Sequence, residues 1–426
     1  VGAPLAAVWL RAGAHVIGVD NSDNVLEKAR RGKTIIPEPN VNEAFQKGID
    51  TGRFELYDDA ITASRDSYFK MICVPVLSQD QKLSADLKAV SDVATNIGKG
   101  LKQNDIVSLN PSVPPGTTED TVIPIIEKES GLSVKSDFCM IYNPERIYEG
   151  RAITDIENNY PAIVSSLGPN SAQLAYTIYS LIFKKGVLTL KSIRTAEAEK
   201  LFEGVYRDVN IALANELAKF SEVAGIDFWQ ARDAANSQPY CHIHKAGIGV
   251  GGACIPVYPQ FVLDVANKIN VLCEVTNISR SINNSMPAYC VRQAIKLLKF
   301  SVLPEAKVSI LGLAFRGDVS DTRLSPTYAV ITELQRFGVK DIRVHDPFVS
   351  NDPNLLNYDS VLLTSDLKKA TKDSDLIILS TDHQEYKKLG KKLGNIPIYD
   401  GRGLLDRNLS DNLKILTIGH GTNKIT

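Results

Sequence analysis

No broad basic surface, no membrane-length apolar run and no paired-cysteine pattern marks this 426-residue sequence. Forty-eight Lys and Arg stand against 49 Asp and Glu, a formal net charge of −1. Bulk charge therefore draws neither nucleic acid nor anionic lipid, and any phosphate recognition has to be local. No segment reaches the roughly 18–20 apolar residues that a bilayer crossing needs. The six cysteines, at 73, 139, 241, 254, 273 and 290, include no C-x-x-C pair and no metal-ligand spacing. That pattern suits a reducing, cytoplasmic compartment, with at most one thiol in chemistry. Low-complexity tracts and short-period repeats are missing too. What remains is the composition of a globular protein, 44% hydrophobic and 23% charged. Its length asks for two or three domains rather than one core.

Residues 1–20, VGAPLAAVWLRAGAHVIGVD, read as a helix followed by a strand, with no strand ahead of the helix. The expectation is a chain that starts inside a motif whose first strand is missing, which leaves a targeting signal open. Short apolar strands at 15–20, 68–76, 105–110 and 138–143 then alternate with helical text. Such alternation predicts a parallel, doubly wound sheet. Between 195 and 235, apolar residues at 201, 202, 205, 209, 213, 217 and 220 follow the period of one long helix, which Gly225 ends. Helical text continues over about 260–300, and from 306 four strands return, in KVSILGLAF, DIRVHDP, DLIILSTDH and IPIYDG. The predicted class is α/β, with two Rossmann-like domains over 1–194 and 301–426 and a helical region over 195–300. Ligands of such sheets gather at the carboxyl ends of the strands, so the layout would offer a cleft for two nucleotides. The apolar residues of the long helix go round more of it than one core-facing stripe requires, which predicts a homodimer through 196–222.

Four stretches carry chemistry. A dinucleotide site needs glycine where a strand turns into a helix, and an acid about 20 residues on for the ribose hydroxyls. Gly2 precedes such a helix and Asp20 ends the next strand. An acid there favours NAD over NADP, because a carboxylate repels a 2′-phosphate; the bland alternative is a turn Asp. The second stretch, KAGIGVGGACIPVYP at 245–259, sets Gly247, Gly249, Gly251 and Gly252 ahead of Cys254. Such a backbone can wrap closely round a ligand; the alternative is a flexible surface loop with a buried thiol. The third, NPERIYEG at 143–150, follows an apolar strand. Glu145 could act as a general base through water, and Arg146 could pair with phosphate or with Glu145 itself. The fourth is Lys200 near the start of the long helix, where most lysines only solubilise. His242 and His244 lack a third ligand nearby, so no metal is expected. TDHQEY at 381–386 ends a strand and is read as shaping a cleft.

In order, VGAPLAA, ICVPV, PSVPPGTT, NPERI, AEKLFEGVYRDVNIALANE, GVGGACIP, LGLAFRGDVSDTRLSP and DGRG resemble the UDP-glucose/GDP-mannose dehydrogenase family over essentially the whole chain. The resemblance implies two Rossmann-like domains, a helical dimerisation core, and oxidation of a sugar CH2OH to COOH in two NAD-dependent steps. It implies that Cys254 is the nucleophile of the second oxidation, that Glu145 activates the hydrolytic water, and that Lys200 stabilises oxyanions. Ser112 falls where the family usually has Thr and would order that water. Gly2, Asp20, Glu38, Val74, Pro75, Ser112 and Arg323 fall at positions implied to contact NAD. Glu145, Arg146, Lys200, Lys245, Gly251, Phe315, Arg316 and Arg402 fall where the resemblance implies substrate contacts. RDVNIALANELA and the GGACIPVYP run look closest to the branch acting on UDP-N-acetylmannosamine or UDP-N-acetylglucosamine.

Two positions depart from the family pattern: Gly204 where Asn is usual and Tyr258 where Asp is usual. Read as two missing parts of an oxyanion and proton network, they predict a slow enzyme that Tyr258→Asp and Gly204→Asn would speed up. An Asn at Gly204 would also stabilise the helix by a few tenths of a kcal/mol. The same departures support the rival reading, a non-catalytic sugar-nucleotide or NAD sensor. A 6-phosphogluconate-type dehydrogenase has no use for the Cys loop or for a second α/β domain.

Overall fold

A computed structural model describes residues 1–35, 38–78, 84–298, 300–389, 393, 395–405 and 414–421. Residues 1–203 with 260–269 form one compact unit, and 204–259 with 270–426 form the other.

The first unit opens with α1 (Gly2–Arg11), β1 (Val16–Val19), α2 (Asp23–Arg30), α3 (Val41–Asp50) and β2 (Phe54–Tyr57). β1 and β2 pair in parallel, Val16 opposite Phe54, as a sheet of their own. Next come α4 (Ala60–Asp66), β3 (Phe69–Ile72), the short antiparallel pair β4 (Leu77–Ser78) and β5 (Ala85–Asp86), then α5 (Lys88–Gly100), β6 (Ile106–Leu109), α6 (Ile123–Ser130) and β7 (Cys139–Tyr142). α7 (Ala152–Thr154), β8 (Ala162–Leu167), α8 (Ser171–Ser180) and β9 (Val187–Thr189) follow. The main sheet has the order β3-β6-β7-β8-β9 and is parallel except where β8 meets β7. All four residues of β7 are buried, as in a sheet covered on both faces. The strand period of two sorts them. Cys139 and Ile141 pack with Trp9 and Tyr179, while Met140 and Tyr142 pack with Val90, Ala94 and Ile97 of α5. A buried ion pair, Lys70 Nζ to Asp105 Oδ2 at 2.6 Å, ties β3 to the start of β6.

The second unit holds α10 (Phe228–Ala235), α12 (Glu274–Ala294), β10 (Lys307–Leu311), α13 (Pro326–Arg336), β11 (Asp341–His345), β12 (Val361–Thr364), α14 (Leu367–Thr371), β13 (Leu376–Leu379), β14 (Ile398–Asp400) and β15 (Ile415–Thr417). Its six strands form one wholly parallel sheet in the order β12-β11-β10-β13-β14-β15. The order runs outward in both directions from β10, as a doubly wound sheet does. Val308, Ile310, Val344, Leu376 and Ile378 pack with Val330, Ile331 and Leu334 of α13. Ser325 caps α13 by accepting the Thr327 N–H, and Pro326 occupies its first turn.

Two further helices contribute residues to both units: α9 (Ile193–Ala224) and α11 (Tyr258–Lys268). α9 runs for 32 residues, about 48 Å at 1.5 Å per residue. Gly225, at φ +73°, ends it in the left-handed conformation that glycine adopts without strain. Among the described residues no helix is long and apolar enough to cross a membrane.

Candidate functional site

In the first unit the chemistry-bearing side chains collect just past the carboxyl ends of parallel strands. Asp20 follows β1 and is exposed; its Oδ1 accepts the Ser22 N–H at 2.9 Å. Val74 and Pro75 follow β3, Ser112 follows β6, and Glu145 and Arg146 follow β7. Asparagines lock the β6 and β7 ends together. Buried Asn110 donates to the Asn143 carbonyl at 3.1 Å and to its Oδ1 at 3.2 Å, and Asn143 donates to Ile163 O at 2.8 Å. The Glu145 N–H returns to Asn110 O at 3.1 Å. One Glu145 oxygen accepts the Ile147 N–H at 2.8 Å, and burial pushes its carboxyl above the usual range, a shift that strengthens it as a base.

The first turns of α9 grip these loops. Glu197 is wholly buried and accepts the Gly116 N–H at 2.5 Å and the Thr118 N–H at 2.8 Å, fixing the loop that carries Ser112. The protein partner of Arg146 is Glu203 rather than Glu145: its Nη2 meets Glu203 Oε1 at 2.5 Å. Lys200 Nζ lies 3.3 Å from the other oxygen of Glu203, and the Lys200 side chain is 12% exposed, so it is no solubilising surface lysine. Burial pushes the Glu203 carboxyl up, but Lys200 and Arg146 outweigh it and hold it below the usual range. Glu199, pushed up to about 6 by burial and then by the Glu203 charge, completes a cluster of alternating sign. Glu38 turns both oxygens to the loop after β7, accepting Gly150 N–H at 2.8 Å and Ala152 N–H at 2.7 Å.

These residues fit a dinucleotide. Gly2 opens α1, and a Cβ there would stand in ordinary van der Waals contact with Cys73 Cβ, at 3.5 Å. The α1 N-terminus suits a pyrophosphate and the Asp20 carboxylate suits paired ribose hydroxyls.

In the second unit the Gly-rich loop is neither loose nor superficial. The Gly247 N–H donates to Asn215 Oδ1 at 2.8 Å, Ile248 N–H to Gly401 O at 2.9 Å, and Gly252 N–H to Arg323 O at 2.9 Å. A Cβ at Gly251 would lie 2.6 Å from Leu324 O and 2.8 Å from Phe315 Cβ, so only glycine passes this wall. Asn215 is itself held: it donates to Asn283 Oδ1 at 2.9 Å, and Asn283 donates to Asp208 Oδ1 at 2.8 Å. Residues 246–249, 251 and 252 are buried, while Cys254 is exposed, the reverse of a mobile loop hiding a thiol. The carbonyl of Cys254 accepts the N–H groups of Val257 at 3.1 Å and Tyr258 at 2.9 Å, so the thiol sits on the turn that becomes α11.

The structure gathers most of the expected substrate residues of this unit round that loop. Arg402 donates to Ser380 O at 2.6 Å, and its Nη1 lies 3.1 Å from where a Gly247 Cβ would be. Arg316 sits over the Phe315 ring, 6.0 Å from its centroid. Burial pushes Asp382 up, but Arg402, the Gly317 N–H and Lys245 prevail and hold it below the usual range, which places both cations in one electrostatic neighbourhood. Arg323 keeps its guanidinium on Asp321, 2.5 Å from Oδ2.

Gly204 and Tyr258 are in direct contact. A Cβ at Gly204 would lie 2.6 Å from Tyr258 Cδ2, 2.9 Å from its Cβ and 3.1 Å from its Cγ. The expected stabilisation by Asn at Gly204 is therefore overturned, because the space for that side chain holds the tyrosine ring. His244 packs edge-on against Tyr206, and among the described residues no group of three His, Cys, Asp or Glu could hold a metal.

Comparison with known proteins decides the family. Models of the UDP-glucose/GDP-mannose dehydrogenase family match residues 1–183 (NAD binding domain), 194–285 (central domain) and 309–407 (UDP binding domain). UDP-N-acetyl-D-mannosamine dehydrogenase of Pyrococcus horikoshii is 33% identical over 95% of this chain and 94% of its own. The chain belongs to the UDP-glucose/GDP-mannose dehydrogenase family. It is an NAD-dependent oxidoreductase acting on a UDP-sugar. The Methanococcus aeolicus protein named UDP-N-acetyl-D-mannosamine dehydrogenase is 31% identical over 98% of this chain and 93% of its own. Among solved structures, UDP-N-acetyl-D-mannosamine dehydrogenase of P. horikoshii superposes with a TM-score of 0.89 at 29% identity, covering 99% of this chain and 97% of that one. A UDP-glucose dehydrogenase of Pyrobaculum islandicum superposes with a TM-score of 0.88 at 25% identity, covering 99% and 95%.

Proposed function

We propose that this family member oxidises the C6 hydroxyl of UDP-N-acetyl-D-mannosamine to the carboxylate, with Cys254 as the covalent anchor. The sugar is supported by the names of relatives matching at full length; the fold alone is shared with a UDP-glucose dehydrogenase. The observation that carries the mechanism is Cys254, exposed on the first turn into α11 while the loop leading to it is buried and pinned. When bound, NAD+ would supply the hydride acceptor, one NAD+ for each of the two oxidations.

Loss of a hydride and the hydroxyl proton gives the aldehyde. The Cys254 sulfur then adds to C6, and the former carbonyl oxygen becomes an oxyanion that the Lys200 ammonium stabilises. Loss of a second hydride leaves a thioester. Glu145 takes a proton from water, whose oxygen attacks C6, the thiolate departs, and the carboxylic acid so formed releases its remaining proton to solvent to leave the carboxylate. Ser112 orders this water. Gly2, Asp20, Glu38, Val74, Pro75 and Arg323 are assigned to NAD. Lys245, Gly251, Phe315, Arg316, Arg402 and Arg146 are assigned to the UDP-sugar. A substrate panel of UDP-sugars read at 340 nm tests the assignment: the highest kcat/KM is expected with UDP-N-acetylmannosamine, and preference for UDP-glucose overturns it.

The working form is proposed to be a cytoplasmic homodimer joined through α9. All six cysteines are free thiols. Phe202, Tyr206, Leu213 and Phe220 are 60, 57, 46 and 61% exposed along α9 at near-heptad spacing, an apolar stripe too long to leave in water.

A further inference from the structure

We infer that Tyr258 is the positioning residue for Cys254, and that its ring does this by seating on the bare backbone of Gly204. Two contacts carry the inference. The Tyr258 main chain holds the reactive turn, since its N–H donates to Cys254 O at 2.9 Å in the bond that opens α11. The Tyr258 side chain fills the volume next to α9 that any Cβ at Gly204 would need, with ring and Cβ atoms 2.6–3.1 Å from that point. One residue thus joins the turn bearing the thiol to a fixed helix, and Gly204, itself buried, is the socket.

Socket and ring act as one part. A methyl at Gly204 displaces the ring, and the ring carries Cys254 with it. Gly204 has ordinary helical backbone geometry, so alanine there is free of backbone strain, and in an open helix it would raise the melting temperature. Here it should lower it. The inference rests on Cys254 as the nucleophile only for its catalytic consequence; the packing and the thiol's accessibility are measured without turnover.

The test measures, on the full chain, melting temperature, the iodoacetamide labelling rate of Cys254 by peptide mass mapping, and kcat and KM with UDP-N-acetylmannosamine. Gly204→Ala is expected to melt below wild type and change the labelling rate severalfold. It should lower kcat about tenfold or more while KM stays within about threefold, since small misplacements of a reacting group cost rate before binding. Tyr258→Phe, which keeps the ring, should keep the wild-type labelling rate. Adding Tyr258→Leu to Gly204→Ala should cost less than the two single changes summed, because contacting positions are not additive. A Gly204→Ala protein that melts at or above wild type with unchanged labelling overturns the inference. So does a Tyr258→Phe protein whose labelling shifts as much as that of Gly204→Ala, because the hydroxyl and not the ring would then place the thiol. Cys254→Ala separates the two levels: if it still forms acid, the nucleophile assignment fails while the packing result stands.

Discussion

Cys254 shows how a residue's chemistry follows from its seat. It is exposed, while the segment before it is buried and bonded at Gly247, Ile248 and Gly252. Cys254→Ala should abolish uronate formation by several orders of magnitude with circular dichroism unchanged, and Cys254→Ser should accumulate an ester seen by intact mass, since an alkoxide leaves less readily than a thiolate. Glu199 makes a pH prediction. Its folded carboxyl is raised to about 6, above the usual 4.5, so its protonated form favours the folded state. That stability is full below about 4.5 and is lost as pH rises toward 6. The difference in melting temperature between Glu199→Gln and wild type should therefore grow over this window, in favour of the variant; a difference independent of pH would contradict it. Cys254 and Glu145 stand out in the sequence because each sits in a run of unusual residues, whereas Lys200 is marked only by the family resemblance. Glu197, Glu199 and Glu203 could not, since acids on a helix are ordinary until a loop places N–H groups or cations against them. Arg146 was visible, but its partner, Glu203, is 57 positions away.

At the scale of elements, the strongly periodic or long apolar segments were legible. The long helix runs over Ile193–Ala224 with Gly225 just past its end, and the apolar stretches at 68–76, 105–110, 138–143 and 307–315 each contain a strand. Among the strands that escaped, Phe54–Tyr57, Val187–Thr189, Val361–Thr364 and Ile415–Thr417 are three or four residues long and Leu77–Ser78 and Ala85–Asp86 two, too short to display a period of two; Ala162–Leu167 has six residues but buries its first four in a row, so it shows no alternation either. Separation along the chain hid the Gly204–Tyr258 contact. Read along the chain, the two positions look like separate losses; in the fold one fills the other's space. The link from α9 to the Gly-rich loop gives a further prediction. Asn215→Ala leaves the buried Gly247 N–H and Asn283 Oδ1 without this partner, which should cost about 1–3 kcal/mol of stability and raise KM for the UDP-sugar. Thermal melting and steady-state kinetics check both, and an unchanged KM would detach Asn215 from the site.

For the whole molecule, most of the five-stranded sheet of the first unit lies in the range of the NAD binding domain, and most of the six-stranded sheet of the second lies in that of the UDP binding domain. The apolar stripe on α9 predicts a dimer by light scattering at micromolar concentration, and Phe220→Glu should shift it toward monomer; a wild-type monomer would contradict the assignment. The central claim is a four-electron oxidation completed on Cys254. Its most direct measurement is the ratio of NADH formed at 340 nm to uronate quantified by mass spectrometry, from UDP-N-acetylmannosamine, for wild type and Cys254→Ala side by side. Two NADH per uronate in wild type and no uronate in the variant is the expected result. One NADH per sugar with the aldehyde as end product, or undiminished uronate from Cys254→Ala, would contradict it.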